Sequence, residues 1–221
     1  MSKFYDELQE ILGKHQPNEV EELNLDCFTE KVESFKLYHK EGLELYNNLI
    51  HLSLNNIGLE NLSNFPEIKC LMILSLKNNK LKGDDFEILP KNYPNLYKLK
   101  ISFNQIESID KLSCLNQLQL KKLEIKENPF TKTDKEYRDK IYKIIPSLEI
   151  VDQMQKNGQE IDTTDYGNDS SSEEEEGDEE DDDNDEEESN ESDGKDVDSK
   201  ESEDDYEENE DDEGGKKKKK K

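Results

Sequence analysis

The chain has 221 residues, of which 39% are charged and only 30% are hydrophobic, and its formal net charge is −27. Residues 162–215 account for most of this charge, with 31 acidic residues and two basic ones, and residues 216–221 are all lysine. Because residues 162–215 have almost nothing apolar to bury, we expect them to form a disordered acidic tail. Residues 1–161, with 26 acidic and 22 basic residues, have the composition of an ordinary globular chain.

Several function classes are excluded by what the sequence lacks. There is no run of about 18 apolar residues, and charges interrupt the apolar positions near the N-terminus, so we expect no transmembrane helix, signal peptide or membrane partner. The cysteines, Cys27, Cys70 and Cys114, are odd in number and far apart, which predicts free thiols in a reducing compartment. No phosphate-binding loop, nucleophile elbow or zinc-ligand spacing occurs, so we expect no enzymatic activity, cofactor or metal.

The first predicted element is an amphipathic helix within residues 1–19. Pro17 is expected to end this helix. Because a solenoid must cover the apolar side of its first repeat, we interpret the helix as an N-terminal cap. The residues predicted to share one apolar helical face are Phe4, Leu8, Ile11 and Leu12.

Residues 20–152 repeat the pattern L-x-x-L-x-L-x-x-N-x-L, with other apolar residues at some leucine positions. The repeats begin at residues 20, 49, 71, 96 and 120, so successive repeats are offset by 29, 22, 25 and 24 residues. This pattern predicts an α/β leucine-rich-repeat solenoid, right-handed, with a parallel sheet on its concave face. The asparagine position holds Asn79, Asn104 and Asn128 in the last three repeats and Ile57 in the second.

The spacing of the pattern has a physical basis. The two leucines of L-x-L lie on the same side of a short strand and point into the core. Asparagine has both a donor and an acceptor, so it can satisfy backbone groups where the chain bends inside the stack. No repeat buries its apolar side alone, and neighbouring repeats bury one another.

A C-terminal cap is expected after the fifth repeat. Residues 137–145 predict a helix that Pro146 ends, and residues 148–151 predict a last short strand. Asp152 then closes the folded domain. Residues 153–161 are expected to be a linker to the acidic tail.

The repeats, the terminal segment YR…IIPSLEIVD and the acidic tail with its basic end together resemble the acidic leucine-rich nuclear phosphoprotein family over the whole chain. The segments VEELNLDC and NIGLENLSNFP are similar to that family's first two repeats. The chain departs from the family at Gln153, where glycine is usual, and in the Asn- and Lys-rich middle repeats. The resemblance implies nuclear proteins without catalytic activity, associated with histone binding and masking of histone tails, inhibition of type-2A protein phosphatase, mRNA export and apoptosis.

The polyanionic tail predicts basic partners, of which histones are the most obvious class, with binding that weakens as salt increases. The alternative is that the tail only keeps the protein soluble. Within the tail, Tyr206 is an aromatic residue in an acidic run and is similar to the acidic-plus-aromatic anchors of histone chaperones. The candidate histone-binding residues are therefore Glu203, Asp204, Asp205, Tyr206, Glu207 and Glu208.

Two further tail features suggest regulation. Four serines have an acidic residue three positions later, which suits an acid-directed kinase, although they can equally be solubilising residues; they are Ser170, Ser171, Ser172 and Ser202. The C-terminal lysines are a candidate nuclear-import signal, with compaction of the tail or a cloning-derived end as alternatives; they are Lys216, Lys217, Lys218, Lys219, Lys220 and Lys221. We expect a nuclear protein, with shuttling to the cytoplasm left open.

The predicted concave face is uneven in charge. Its first repeat has Glu21, Glu22 and Asp26, whereas its fourth and fifth repeats carry Tyr97, Phe103 and a basic patch. This patch could be a solvated surface, a weak site for RNA or an acidic partner, or a site for the protein's own tail. The patch consists of Lys98, Lys100, Lys121, Lys122 and Lys126.

These features favour a monomeric, non-enzymatic histone chaperone or chromatin regulator that acts through its tail. Two alternatives remain from the sequence. One is inhibition of a type-2A protein phosphatase by the repeat domain, and the other is a scaffold for RNA export.

Overall fold

A computed structural model of the chain describes residues 3–26, 28 and 32–161. The predictions for the acidic tail, its serines, Tyr206 and the terminal lysines concern residues outside these ranges. The described fold comprises the repeat domain and its two caps.

The described residues form short strands that alternate with helices or loops. The strands are β1 (Glu22–Asn24), β2 (His51–Ser53), β3 (Ile73–Ser75), β4 (Lys98–Lys100), β5 (Lys122–Glu124), β6 (Ile150–Val151) and β7 (Met154–Gln155). The α-helices are α1 (Lys3–Leu12), α2 (Leu37–Leu43), α3 (Ile88–Asn92), α4 (Pro129–Thr133) and α5 (Tyr137–Ile144). Two 3₁₀ helices span Pro17–Glu19 and Ile109–Gln117.

The seven strands form one sheet in chain order. Strands β1 to β6 pair in parallel, and β7 pairs with β6 in the antiparallel direction. The register aligns the central leucine of each repeat strand, and all five are buried: Leu23, Leu52, Leu74, Leu99 and Leu123. This arrangement confirms the leucine-rich-repeat solenoid, because each repeat contributes one strand and buries its leucines against the next repeat.

The buried asparagines hold the turns together as the pattern predicts. The Asn104 side chain accepts a hydrogen bond from the Leu81 N–H at 3.0 Å and donates to the Leu76 carbonyl at 2.9 Å. Asn79 serves the backbone of the second repeat in the same way, accepting from Gly58 and Leu59. Each asparagine therefore satisfies backbone groups of the repeat that precedes its own.

The N-terminal cap differs from its prediction in two respects. Leu8 and Leu12 are buried, but Ile11 is 50% exposed, so its assignment to the apolar face is wrong. The helix ends at Leu12, because Gly13 has a φ of +60° and its N–H bonds back to the Gln9 carbonyl at 2.9 Å. Pro17 does not end the helix, and instead begins the following 3₁₀ turn.

The C-terminal cap extends further than predicted. Helix α5 ends before Pro146 as expected, and β6 follows. The segment 153–161, however, is not a linker. Strand β7 pairs with β6 in a hairpin. The chain after β7 then folds back, and the Ile161 N–H donates to the Gln153 carbonyl at 2.8 Å. The prediction of a linker was wrong because a two-residue strand leaves no recognisable apolar alternation.

Candidate functional site

The sheet face opposite the buried leucines is the concave face, and it is organised in rows that cross the strands. The edge row consists of the residue just before each of the strands β1 to β6: Glu21, Ile50, Met72, Tyr97, Lys121 and Glu149. The strand row consists of the first residue of each of these six strands: Glu22, His51, Ile73, Lys98, Lys122 and Ile150. The edge row changes from acidic at β1, through Ile50, Met72 and Tyr97 at β2 to β4, to basic at β5. The strand row changes from acidic at β1, through His51 and Ile73 at β2 and β3, to basic at β4 and β5.

Three of the five predicted patch lysines lie on the two neighbouring strands β4 and β5. The register places Lys98 directly beside Lys122. The Lys98 ammonium lies 3.5 Å from the Glu124 carboxylate, so this lysine shares its charge with an acidic neighbour. Lys100 is only 6% exposed. It therefore adds positive charge to this face but offers little surface for direct contact.

The other two lysines of the predicted patch lie beyond the ends of β5. Lys121 precedes the strand, in the edge row, and its ammonium forms a salt bridge of 2.8 Å with Glu149. Lys126 follows the strand, is exposed, and donates its backbone N–H to Asp152 at 2.9 Å. The structure thus spreads the basic residues along both strands and over their ends.

Two exposed aromatic residues lie at opposite ends of β4. Tyr97 is 37% exposed just before the strand, and Phe103 is 47% exposed after it. Phe103 has a φ of +57°, a left-handed conformation that is strained for a bulky side chain. The corresponding residues of the second and third repeats are Asn56 and Asn78, which tolerate this conformation better.

The N-terminal half of the concave face is built around the Asp26 carboxylate. Its Oδ1 accepts hydrogen bonds from the Ser53 hydroxyl at 2.7 Å and the Asn55 N–H at 2.6 Å. The Asn55 side chain in turn accepts from the Ser75 hydroxyl and the Lys77 N–H, both at 2.7 Å. This chain of bonds links the first three repeats across the sheet and fixes the acidic end of the face.

A second carboxylate closes the opposite end of the sheet. Asp152 accepts the Ile125 N–H at 2.6 Å and the Tyr137 hydroxyl at 2.8 Å. Burial, together with the nearby Asp152 charge, raises the pKa of the Tyr137 hydroxyl well above its usual range. Tyr137 therefore stays protonated and keeps donating, which ties helix α5 to the last repeat.

Sequence reasoning missed the apolar centre of the concave face. Met72 is 43% exposed in the edge row, beside the partly exposed Ile50 and Ile73. The signal was present in the sequence, because the residue after the first leucine of each repeat always falls in this row. Aligning the repeats at that position would have identified Ile50, Met72 and Tyr97 together.

Within residues 3–26, 28 and 32–161, no three His, Cys, Asp or Glu side chains are grouped as metal ligands would be. None of the helices in those same ranges combines the length and apolar composition that a membrane span requires. The tail residues proposed to bind histones, to be phosphorylated or to direct nuclear import lie outside the described residues.

Sequence comparisons identify relatives in several eukaryotes. A Plasmodium falciparum protein named acidic leucine-rich nuclear phosphoprotein 32-related protein is 32% identical over 159 residues, which is 71% of this chain and 56% of that protein. A Caenorhabditis elegans protein named acidic leucine-rich nuclear phosphoprotein 32-related protein 1 is 37% identical over 118 residues, 52% of this chain and 51% of that protein. The chain thus spans about half the length of these relatives.

Two further comparisons concern a differently named relative and the fold. A Tetrahymena thermophila protein that is itself named a histone is 32% identical over 159 residues, covering 72% of this chain and 40% of that protein. A chain in a solved structure titled as the Drosophila melanogaster SNF/U2A' complex has a similar fold, with a TM-score of 0.50 and 23% identity. The superposed region covers 65% of this chain and 76% of that chain. That likeness shows the fold alone. No family model matches the chain.

Proposed function

Since the chain belongs to the acidic leucine-rich nuclear phosphoprotein 32-related family, we propose that it is a non-enzymatic nuclear protein that binds histones through its acidic tail. The tail, rather than the repeat domain, is the binding element in this proposal. The repeat domain serves as the folded base that carries the tail.

The charge of the tail is the observation that carries the proposal. Of the 57 acidic residues in the chain, 31 lie in residues 162–215, which contain only two lysines. A polyanion of this density attracts strongly basic proteins over several ångströms and increases their encounter rate. Histones are the basic proteins that a nuclear polyanion meets in greatest amount, so they are the partner class that this charge favours.

The comparison with the Tetrahymena thermophila histone adds support of a different kind. A protein that is named a histone contains a segment similar to 72% of this chain. A repeat domain of this type therefore occurs within a polypeptide named as a histone, which is consistent with a function close to histones for its relatives.

Tyr206 gives the proposal a specific contact. In the sequence Tyr206 is flanked by Glu203, Asp204 and Asp205 on one side and by Glu207 and Glu208 on the other. In the proposed complex the ring enters a shallow apolar depression while the flanking carboxylates follow a basic groove, because buried aromatic residues supply a large share of interface energy. Phosphorylation at Ser202 or at 170–172 would add negative charge to the same element, and residues 216–221 would direct nuclear import.

The test compares four forms of the protein for binding to a labelled histone dimer at two salt concentrations. The full-length protein is expected to bind, and to bind less tightly at higher salt. Tyr206→Ala is expected to weaken binding by about tenfold at moderate salt, the scale of an aromatic anchor. Tyr166→Ala is the matched control, because it removes the same ring from a tail position outside the acidic run.

A fragment that ends at residue 161 completes the test. Residues 153–161 must be retained, because ending the chain at residue 155 would remove the partners of the terminal hairpin, including the Gln159 carbonyl. The fragment is expected to lose histone binding. Undiminished binding by the fragment would overturn the proposal. Inhibition of a type-2A protein phosphatase by the fragment would instead support the alternative in which the repeats act.

A further inference from the structure

The edge row of the concave face presents a continuous apolar centre to solvent. Met72 and Tyr97 are 43% and 37% exposed, and the Tyr97 N–H donates to the Met72 carbonyl at 2.8 Å, so the two side chains come from directly adjacent positions. Ile50 and Ile73, both partly exposed, border Met72. An exposed apolar cluster with a polar surround is typical of a surface that another protein covers.

The charges around this centre are arranged with opposite signs at its two ends. Glu21 and Glu22 are exposed at the β1 end. Lys98, Lys121 and Lys122 lie at the β4 and β5 end, where Glu124 and Glu149 offset part of their charge. Asp26 reinforces the acidic end, and Lys100 and Lys126 reinforce the basic end. A ligand that matches this surface must itself have a basic end, an apolar middle and an acidic end.

The backbone of the edge row excludes one way of binding. The Met72 N–H donates to the Ile50 carbonyl at 2.8 Å, and the Met72 carbonyl accepts from Tyr97. The backbone groups that join these strands are therefore already used inside the sheet, and an extended peptide cannot pair with them as an added strand. A helix satisfies its own backbone hydrogen bonds and binds through side chains alone.

Dimensions and charge also favour a helix over a nucleic acid. Six strands at a spacing of about 4.8 Å extend over roughly 24 Å, the length of a helix of about 16 residues. A phosphate backbone of similar length would place negative charge over Glu21 and Glu22. It would also leave the apolar side chain of Met72 without an apolar partner.

We propose that the concave face binds an amphipathic α-helix of a partner protein, lying across the strands. The apolar stripe of that helix covers Met72, Ile73 and Tyr97. Its basic end lies over Glu21 and Glu22, and its acidic end lies over the lysines of β4 and β5. This is a second interaction surface that does not depend on the tail or on histone binding.

The probe for this proposal is a labelled alanine-rich helical peptide of about 16 residues, the length set by the strand spacing. It carries arginines at one end, Leu, Met and Phe on one face in the middle, and glutamates at the other end. Binding to the full-length protein is measured by fluorescence anisotropy. A second peptide has serine in place of the three apolar residues, and reports any attraction of the arginines to the acidic tail.

Variants of the full-length protein locate the site. Met72→Asp and Tyr97→Ser are each expected to weaken binding of the apolar peptide by at least about tenfold. Leu45→Asp is the matched control and is expected to have no effect, because Leu45 is 60% exposed outside both rows. Since Met72 and Tyr97 are surface residues, both variants should keep the thermal unfolding transition of the parent protein.

Charge reversal tests the orientation. Glu22→Lys is expected to weaken binding several-fold, and a peptide with its arginines replaced by glutamates is expected to recover that loss. Equal binding to the Met72→Asp and Leu45→Asp proteins, equal binding of the apolar and serine peptides, or failure of the reversed peptide to recover would each overturn the proposal. Because these variants leave the tail intact, such a failure leaves the histone measurements unaffected.

Discussion

The second repeat and the later repeats solve the same structural problem in different ways. In the third, fourth and fifth repeats a buried asparagine satisfies backbone groups of the preceding repeat. In the second repeat Ile57 is buried at the same position, where its apolar side chain offers no hydrogen bond, and its backbone carbonyl accepts from the Val32 N–H of the first repeat at 2.8 Å. The repeated asparagine is thus best understood as part of the interface between repeats, and its loss affects the repeat before it.

The first and second repeats, which lack this asparagine bond, are joined instead by side chains on the concave side of the sheet. Asp26 binds Ser53 and Asn55 of the second repeat through side-chain hydrogen bonds that are partly exposed. Side chains at the concave surface therefore join the first three repeats, whereas a buried asparagine joins each repeat from the third onward to the one before it in the interior. Interior bonds should contribute more, because a buried donor or acceptor that loses its partner cannot turn to water.

The largest effect is expected for Asn104→Ala. This change leaves the buried Leu81 N–H without its acceptor. It also removes one donor each from the Leu76 and Ile101 carbonyls, which keep their bonds to Asn79 and Asn128. We expect the free energy of unfolding to fall by about 3–5 kcal/mol, since the unsatisfied buried N–H costs about 1–3 kcal/mol and each of the two other lost hydrogen bonds contributes about 0.5–1.5 kcal/mol. Urea unfolding followed by circular dichroism measures the loss.

The matched control for this change is Asn95→Ala. Asn95 also donates to a carbonyl of the preceding repeat, that of Lys69 at 2.9 Å, but this bond is exposed. We expect a loss below about 1 kcal/mol, because water can replace the missing donor. Equal losses for the two variants would contradict the distinction between interior and surface joints.

A smaller effect is expected at high pH, where the C-terminal cap is tested. Burial raises the pKa of Tyr137, so the unfolded chain releases this proton at a lower pH than the folded protein does. The free energy of unfolding should therefore fall as the pH rises above about 10, the ordinary pKa of tyrosine. Burial also raises the pKa of Tyr93, in the third repeat, so its ionisation should lower stability over the same pH range.

Tyr137→Phe distinguishes the contribution of the C-terminal cap to alkaline unfolding from that of the other tyrosines. At neutral pH the variant loses the hydrogen bond to Asp152 and should be less stable by about 1.5–3 kcal/mol, the range for bonds to charged groups. Above pH 10 the gap to the parent protein should narrow, because the variant has no proton to lose at this position. Parallel stability curves across that range would show that Tyr137 does not contribute to alkaline unfolding.

The sequence predicted the interior of this protein far better than its ends and its surface. Leucine and asparagine spacing is repeated, so each strand was identified by several independent positions. The Ile11 side chain and the terminal hairpin were mispredicted because each occurs once, at an end where no neighbouring repeat constrains the pattern. The C-terminal hairpin depends on backbone pairing of β6 with β7, which leaves little trace in residue type.

The candidate surface was predicted only in part, for a related reason. The charges of the concave face were visible as lysines in and beside the predicted strands, but the pairing of two of them with Glu124 and Glu149 was not. The pairing of Lys121 with Glu149 joins residues 28 positions apart through the cap, and the burial of Lys100 depends on its neighbours. Met72 was missed because methionine is neither charged nor aromatic, and it forms an apolar surface only together with its neighbours Ile50 and Tyr97.

The smallest effect is expected for Phe103→Asn, which extends the comparison of repeats to the turn after each strand. Asn56 and Asn78 occupy this turn with φ values of +56° and +55°, and Phe103 adopts +57°. Asparagine tolerates this conformation better than phenylalanine, and the ring is 47% exposed, so little burial is lost. We expect the free energy of unfolding to rise by about 0.5–1 kcal/mol, measured by urea unfolding.

The reverse change, Asn78→Phe, is the control for Phe103→Asn and should lower stability by a similar amount. If both changes behave as expected, the fourth repeat keeps an exposed aromatic ring at a cost in stability, which is typical of a residue retained for binding. If Phe103→Asn lowers stability instead, the ring contributes more through packing than the left-handed backbone costs. Phe103 would then belong to the folded structure, and β4 would keep only Tyr97 as an aromatic contact for a partner.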